Sequence, residues 1–390
     1  MGNALIVVQG YAAPAVGEAF HQARLLCQKL NDTTQLFSVL HGLHRFCYVH
    51  GEWQLARELG EQMVSLAERN SDPILRPEAN RALGVTLWLQ GEFTLAQNHF
   101  EQGSTWYDRQ HYARYLRLSG QDPGVVCLGG GALTLWCLGY AEQAYQGIEQ
   151  TLALAQAVAN PFVLTYAHFY DCLVYQFEAE PAAVGQGAEI IMALARQHEF
   201  TYYLGVGMVL RGWAQTQQGQ HAVGIASMQQ GMTTIHETGA LLFRHYYLGL
   251  LADAYRQVGE LEEALQIIRE ALRAVPSSGR FWEADLYRLH GELLLLKPTS
   301  DPEVASAEAA EMSFHQAIAI AQRQNAKALE LRATISLWQL WQRQGRQIEA
   351  QKMLTPIYEW FNADFDSADL KVARALLAVL SAPHHNINLQ

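Results

Sequence analysis

LADAYRQVGELEEALQIIREALRAVP, residues 251–276, carries the reading that decides the fold. Leu251, Ala252 and Tyr255 recur at helical spacing before Gly259, and Ala264, Ile268 and Ala271 do so after it, with Pro276 closing the stretch. That is two amphipathic helices joined at a glycine, the residue that tolerates the positive φ found at helix C-termini. The same turn recurs along the chain as HGEWQLA from His50, QGEFTLA from Gln90, LGYAEQA from Leu138, QGQHAVG from Gln218 and QGRQIEA from Gln344. In each case Ala or Gly stands five places after the leading Gly. Those glycines (Gly51, Gly91, Gly139, Gly219, Gly259, Gly345) are separated by 40, 48, 80, 40 and 86 residues, so the two long gaps are two units each. The period is about 42, and the chain reads as an all-α array of helix pairs.

The offsets in residues 251–276 fall on the tetratricopeptide pattern of Leu-Gly, Tyr, Ala, Phe and Pro positions. Leu83, Gly84, Leu87, Gly91, Ala96 and Phe100 repeat it, as do Leu337, Trp341, Gly345, Ala350 and Leu354. The expected architecture is a tetratricopeptide-like α-solenoid, a right-handed superhelix of about nine helix pairs running as one continuous domain over 1–390. Two units are irregular. The fourth turns at Glu178-Ala179-Glu180-Pro181 instead of glycine, and the seventh carries an insertion over 297–309 with Pro298 and Pro302, after which Ala310, Phe314 and Ala317 resume the pattern. Residues 1–30 read as a truncated first repeat. Its helix A is reduced to 4–10 and its helix B, Ala15–Leu30, leaves Phe20, Leu25 and Leu26 uncovered. Residues 366–390 read as a C-terminal capping helix and frayed tail.

Several stretches resemble the C-terminal repeat region of large bacterial proteins that join a class III adenylate/guanylate cyclase domain to an AAA-type, STAND-like ATPase. They are 10–30, 120–140 (GQDPGVVCLGGGALTLWCLGY), 210–220, 281–296 (FWEADLYRLHGELLLL), 313–345 and 356–377 (PIYEWFNADFDSADLKVARALL). The resemblance implies a regulatory region that senses a partner or ligand, with an ATPase or cyclase domain as its effector and the chemistry held upstream. No G-x-x-x-x-G-K-[ST] loop occurs in this chain.

Composition narrows the function classes. A net charge of −11 repels phosphate backbones, so no nucleic-acid partner is expected. Five cysteines, all at or before Cys172 and without a C-x-x-C pair, suit a reducing compartment. No apolar run approaches the ~18 residues of a membrane span, so a soluble cytoplasmic protein is expected. Gly129-Gly130-Gly131 lie inside a helix rather than opening one after a strand, which fits close helix crossing and not a phosphate cradle. Asp122-Pro123 reads as an N-cap followed by Pro at the first helical position. His41, His44, Cys47 and His50 spread over half a helix circumference, so no metal site is expected. His168, Asp171 and Cys172 share one helix surface within an apolar run, so no catalytic residue is assigned and no cofactor is expected.

The concave face, lined by helix A positions three or four apart, is the candidate site. Projection places His41, Arg45 and Tyr48 there from the first unit, Glu78, Arg81 and Trp88 from the second and Trp136 from the third. Tyr246, Asp253 and Arg256 come from the sixth, and Asp285, Arg288 and Glu292 from the seventh. Arg, Trp and Tyr dominate interface energetics, so a non-catalytic scaffold or sensor for a protein or peptide partner is the first reading. The alternative is a receptor for a small-molecule effector held in an aromatic hollow. Arg45 and Arg81 are expected on adjacent helices, gripping one anionic group beside Tyr48 and Trp88, the alternative being an internal Glu78–Arg81 ion pair on one helix.

Overall fold

The computed structural model describes residues 14–30, 33–296, 303–361 and 367–381. Nineteen α-helices span them. The first, α1 (Pro14–Leu30), precedes eight helix pairs. They are α2/α3 (Thr33–Val49, Trp53–Glu68), α4/α5 (Leu75–Leu89, Phe93–Trp106), α7/α8 (Pro123–Leu138, Ala141–Val158), α9/α10 (Pro161–Phe177, Pro181–His198), α11/α12 (Thr201–Gln217, His221–Glu237), α13/α14 (Arg244–Gln257, Leu261–Ser278), α15/α16 (Glu283–Leu296, Glu303–Arg323) and α17/α18 (Lys327–Arg343, Gln347–Trp360). A short α6 (Tyr112–Ser119) is inserted after the second pair, and α19 (Ala368–Ser381) follows the last. The fold is an all-α, tetratricopeptide-like solenoid.

Local chemistry explains the elements. Asp122 caps α7 by accepting a hydrogen bond from the Val125 amide at 3.0 Å, with Pro123 at the first helical position. In the fourth unit Ala179 takes the left-handed turn, φ 58°, that glycine takes elsewhere. In the unit before it, glycine-rich α7 packs closely on α5 and α9. A methyl on Gly130 would sit 2.6 Å from the Phe100 ring, and Gly129 lies under the ring of Tyr170.

Two expectations need correction. The insertion after Leu296 is not loop through Ala309: α16 begins at Glu303 and makes the pattern helical seven residues before Ala310. Ala, Glu and Ser in EVASAEAA form helix readily, and this stretch carries no proline. On α1, Phe20 is buried against Gly42 of α2, whereas Leu25 and Leu26 are more than half exposed. The expected helix over 4–10 and the tail beyond 381 lie outside the described residues.

Winding is the feature the repeats alone do not specify. The sixth unit returns against the first, and the seventh and eighth against the second and third. Trp53 Nε1 donates to the Pro276 carbonyl at 2.8 Å, and the Arg280 amide donates to the Leu89 carbonyl at 2.6 Å. Arg332 Nη2 donates to the Phe177 carbonyl at 2.7 Å, and Trp360 lies against Gly139. One hydrophobic core therefore runs from Val49 in the first pair to Leu329 in the last.

Candidate functional site

Winding divides the concave face in two. At its first end α2, α4, α7, α9 and α11 surround a cavity of about 80 Å³ lined by Tyr48, Arg81, Trp88, Gln121, Tyr166, Phe169, Tyr170, Tyr202, Tyr203 and Phe243. Glu78, fully buried, holds this end together electrostatically. Its Oε1 receives Arg81 Nη2 at 2.6 Å and Arg81 Nε at 3.0 Å, and lies 2.9 Å from His41 Nε2. Arg81 also donates to Gln121 Oε1 at 3.1 Å, and Arg45 donates to the Ser119 carbonyl. Burial opposes the Glu78 charge, but the guanidinium beside it and the His41 contact outweigh that and bring its pKa down to about 2. Burial lowers both His41 and His44, the latter to about 3, so both rings are neutral at pH 7; His44 Nε2 shares a hydrogen bond with Thr86 Oγ1 at 2.8 Å.

At the other end α13, α15, α17 and α19 line an open groove of about 350 Å³. Asp253 accepts from Arg256 Nε at 2.8 Å and from Gln257 Nε2 at 2.7 Å. Arg288 donates to both oxygens of Asp285, at 2.7 and 3.2 Å, and to Glu292 at 2.6 Å; Ser336 Oγ donates to the same Glu292 oxygen. Arg332 donates to Asp369 at 2.9 Å and stacks over the Trp136 ring, 5.3 Å from its centroid. Phe177, Trp213 and Trp282 form an apolar floor beneath these charges.

The structure brings Asp253, Arg256, Asp285, Arg288 and Glu292 together in this second groove, and Tyr48 and Arg81 onto the first cavity. It does not leave the aromatic candidates as free anchors. Trp88, Trp136 and Tyr246 are 4, 2 and 0% exposed. Trp88 stacks on Phe281 with centroids 4.2 Å apart, Trp136 donates its indole N–H to Glu178 at 2.6 Å and packs on Phe177, and Tyr246 donates to Gln176 at 2.7 Å. Arg81 Nη2 pairs with Glu78 on its own helix and lies 3.1 Å from His41 Nε2, Arg81 Nη1 donates to Gln121, and Arg45 donates to the Ser119 carbonyl. Arg332, from the helix A of the eighth unit, and Asp369, from α19 beyond the repeats, also line the groove and lie outside the projected positions. Asp253/Arg256 and Asp285/Arg288 pair at i,i+3 on their own helices.

Other constellations are structural. His41, His44 and His50 point to different partners, Glu78, Thr86 and the Phe46 carbonyl, while Cys47 is core. Among the described residues no cluster of His, Cys, Asp or Glu could hold a metal ion. Cys172 is fully buried, its thiol raised well above the usual range by desolvation and donating toward the Val184 carbonyl at 3.8 Å. Burial raises Asp171 to about 6 and lowers His168, which opposes any charged relay between them. No described helix is long and apolar enough to cross a membrane.

Residues 247–287 match the tetratricopeptide repeat family model. An uncharacterized protein of Rhizobium meliloti (strain 1021), R02095, is 21% identical over 345 residues, covering 87% of this chain and 33% of that protein. The chain thus spans about a third of the length of the curated relative it matches. A Rap protein solved in complex with competence and sporulation factor superposes with a TM-score of 0.55 at 12% identity, over 97% of this chain and 99% of that one, and shares the fold. A STAND protein with a tetratricopeptide repeat sensor, PH0952 of Pyrococcus horikoshii, gives 0.49 at 15% identity, over 97% and 53%.

Proposed function

We propose that the chain is a non-catalytic regulatory module that takes up a protein or peptide segment in the charged half of its concave face. The observation that carries this reading is the open groove of about 350 Å³, walled by paired charges above an apolar floor. A polar rim over a buried apolar centre is the ordinary anatomy of a protein-binding surface. The Rap protein whose fold this chain shares was solved with competence and sporulation factor bound, which supports binding as the use of such a solenoid. The alternative, a small-molecule effector receptor, rests on the aromatic cavity. Its roughly 80 Å³ suits about five to eight water-sized volumes, well below ligand pockets of ~300–1,000 Å³. Resemblance to repeats attached to cyclase-linked ATPases makes such a domain the effector that reads occupancy of the groove.

Gln339 lines the groove and is exposed. A display library of random peptides should yield ligands for the intact chain that Gln339→Trp no longer binds, at unchanged melting temperature. Ligands indifferent to Gln339→Trp would place binding elsewhere, and a library yielding none would refute the reading.

A further inference from the structure

The groove is not electrically neutral, and the imbalance selects the sign of its occupant. Its lining holds three cations, Arg256, Arg288 and Arg332, against four carboxylates, Asp253, Asp285, Glu292 and Asp369. Each arginine already donates to a carboxylate of the chain itself: Arg256 to Asp253, Arg288 to Asp285 and Glu292, Arg332 to Asp369. Once paired, the set keeps one negative charge. The acidic groups also keep open acceptor positions: a carboxylate offers about four, whereas Asp369 accepts from Arg332, and Glu292 accepts from Arg288 and Ser336 through the same Oε1.

Exposure points the same way. The side chains of Asp253, Glu292 and Asp369 are 25, 27 and 24% exposed, against 17 and 18% for Arg288 and Arg332; Arg256, at 30%, is tied to Asp253. An incoming carboxylate could reach Arg288 only by displacing Asp285, whose side chain is 11% exposed and would be left a buried, unpaired charge. An incoming ammonium or guanidinium meets half-open carboxylates with room to accept.

We infer that the segment taken up by this groove is anchored by a basic group, a Lys or Arg side chain or a free α-amino terminus, and that acidic segments are rejected. This rests on the reading of the groove as a peptide site. The overall charge of −11 steers a basic partner toward the chain in the same sense.

Fluorescence anisotropy with the intact chain tests it, using three dye-labelled peptide pools: Lys/Arg-rich, Asp/Glu-rich and uncharged. Binding is expected from the basic pool alone, weakening about tenfold from low to high salt as exposed charges are screened. Asp253→Asn and Glu292→Gln should lower affinity, and Arg256→Gln should raise it. Exchanging Lys for Glu in a bound peptide should abolish binding, a result that needs no altered protein if a groove variant misfolds. Preference for acidic or uncharged peptides, or weaker basic-peptide binding by Arg256→Gln, overturns the inference while leaving the peptide site standing. Binding from no pool overturns both.

Discussion

At one end of the concave face, α4 and α7 press their tryptophans into rings contributed by α9 and by the corners at 242–243 and 281–282. At the other, α13, α15 and α17 present Asp253, Asp285, Arg288 and Arg332 to a groove that water enters. Helix A register is the same in both. What differs is the surface opposite. Where the sixth, seventh and eighth units come back against the first, second and third, a concave position becomes an interior one, and the charges kept there, Glu78 and Arg81, are paired with each other. Where the turns of the solenoid stay apart, the same positions line a groove and their ion pairs keep 11–30% of the side chains exposed. Position within a repeat therefore does not fix a residue's role; winding does.

Four measurements can break or sharpen this contrast. Arg81→Ala should have the largest effect, costing about 3–5 kcal/mol in urea unfolding, because it strands the buried Glu78 carboxylate without its cation. A loss under 1 kcal/mol would mean that the first end is as wet as the second. Gly130→Ala should come next, at about 1–3 kcal/mol, since its methyl would strike Phe100 in a core without slack.

Acid titration follows. Below pH 6.5 the unfolded chain takes protons at His44 and His245 that the folded chain refuses until about pH 3, so stability must fall as pH drops through that window. The slope is about 1.4 kcal/mol per pH unit for each histidine, and His44→Asn should remove one share of it. Glu78 adds to the loss at lower pH: its pKa is about 2 folded against an ordinary 4.5, so the stability it contributes disappears between those values. A melting temperature flat from pH 7 to 4 would contradict the burial of these rings. Smallest should be Arg256→Ala, within about 0.5 kcal/mol, because its i,i+3 pair with Asp253 is part-exposed. A loss comparable to Arg81→Ala would erase the contrast.

The repeat was legible because glycine turns and helical periodicity are local: Gly51, Gly91 and Gly259 mark their corners whatever surrounds them. The groove positions of Asp253, Arg256, Asp285, Arg288 and Glu292 follow from the same local periodicity, since each lies on a single helix. The fates of Trp88, Trp136 and Tyr246 were not, since Phe281, Trp282 and Gln176 reach them from units that are not their neighbours and leave no trace in a period of about 42. One hint stood in the sequence. Leu242-Phe243 and Phe281-Trp282 put pairs of large apolar residues just ahead of helices α13 and α15, at corners where a solvated turn would be polar.

The hydrogen bonds that join Trp53 to Pro276 and Arg280 to Leu89 also bear on how the molecule yields to force. An open array of repeats stretches as a soft spring, each neighbour-to-neighbour interface giving a little. A coil whose successive turns are fastened to one another has no such compliance until the seam lets go. Pulled from its ends, this chain should resist stiffly, release its overlap in one event, and only then lengthen repeat by repeat.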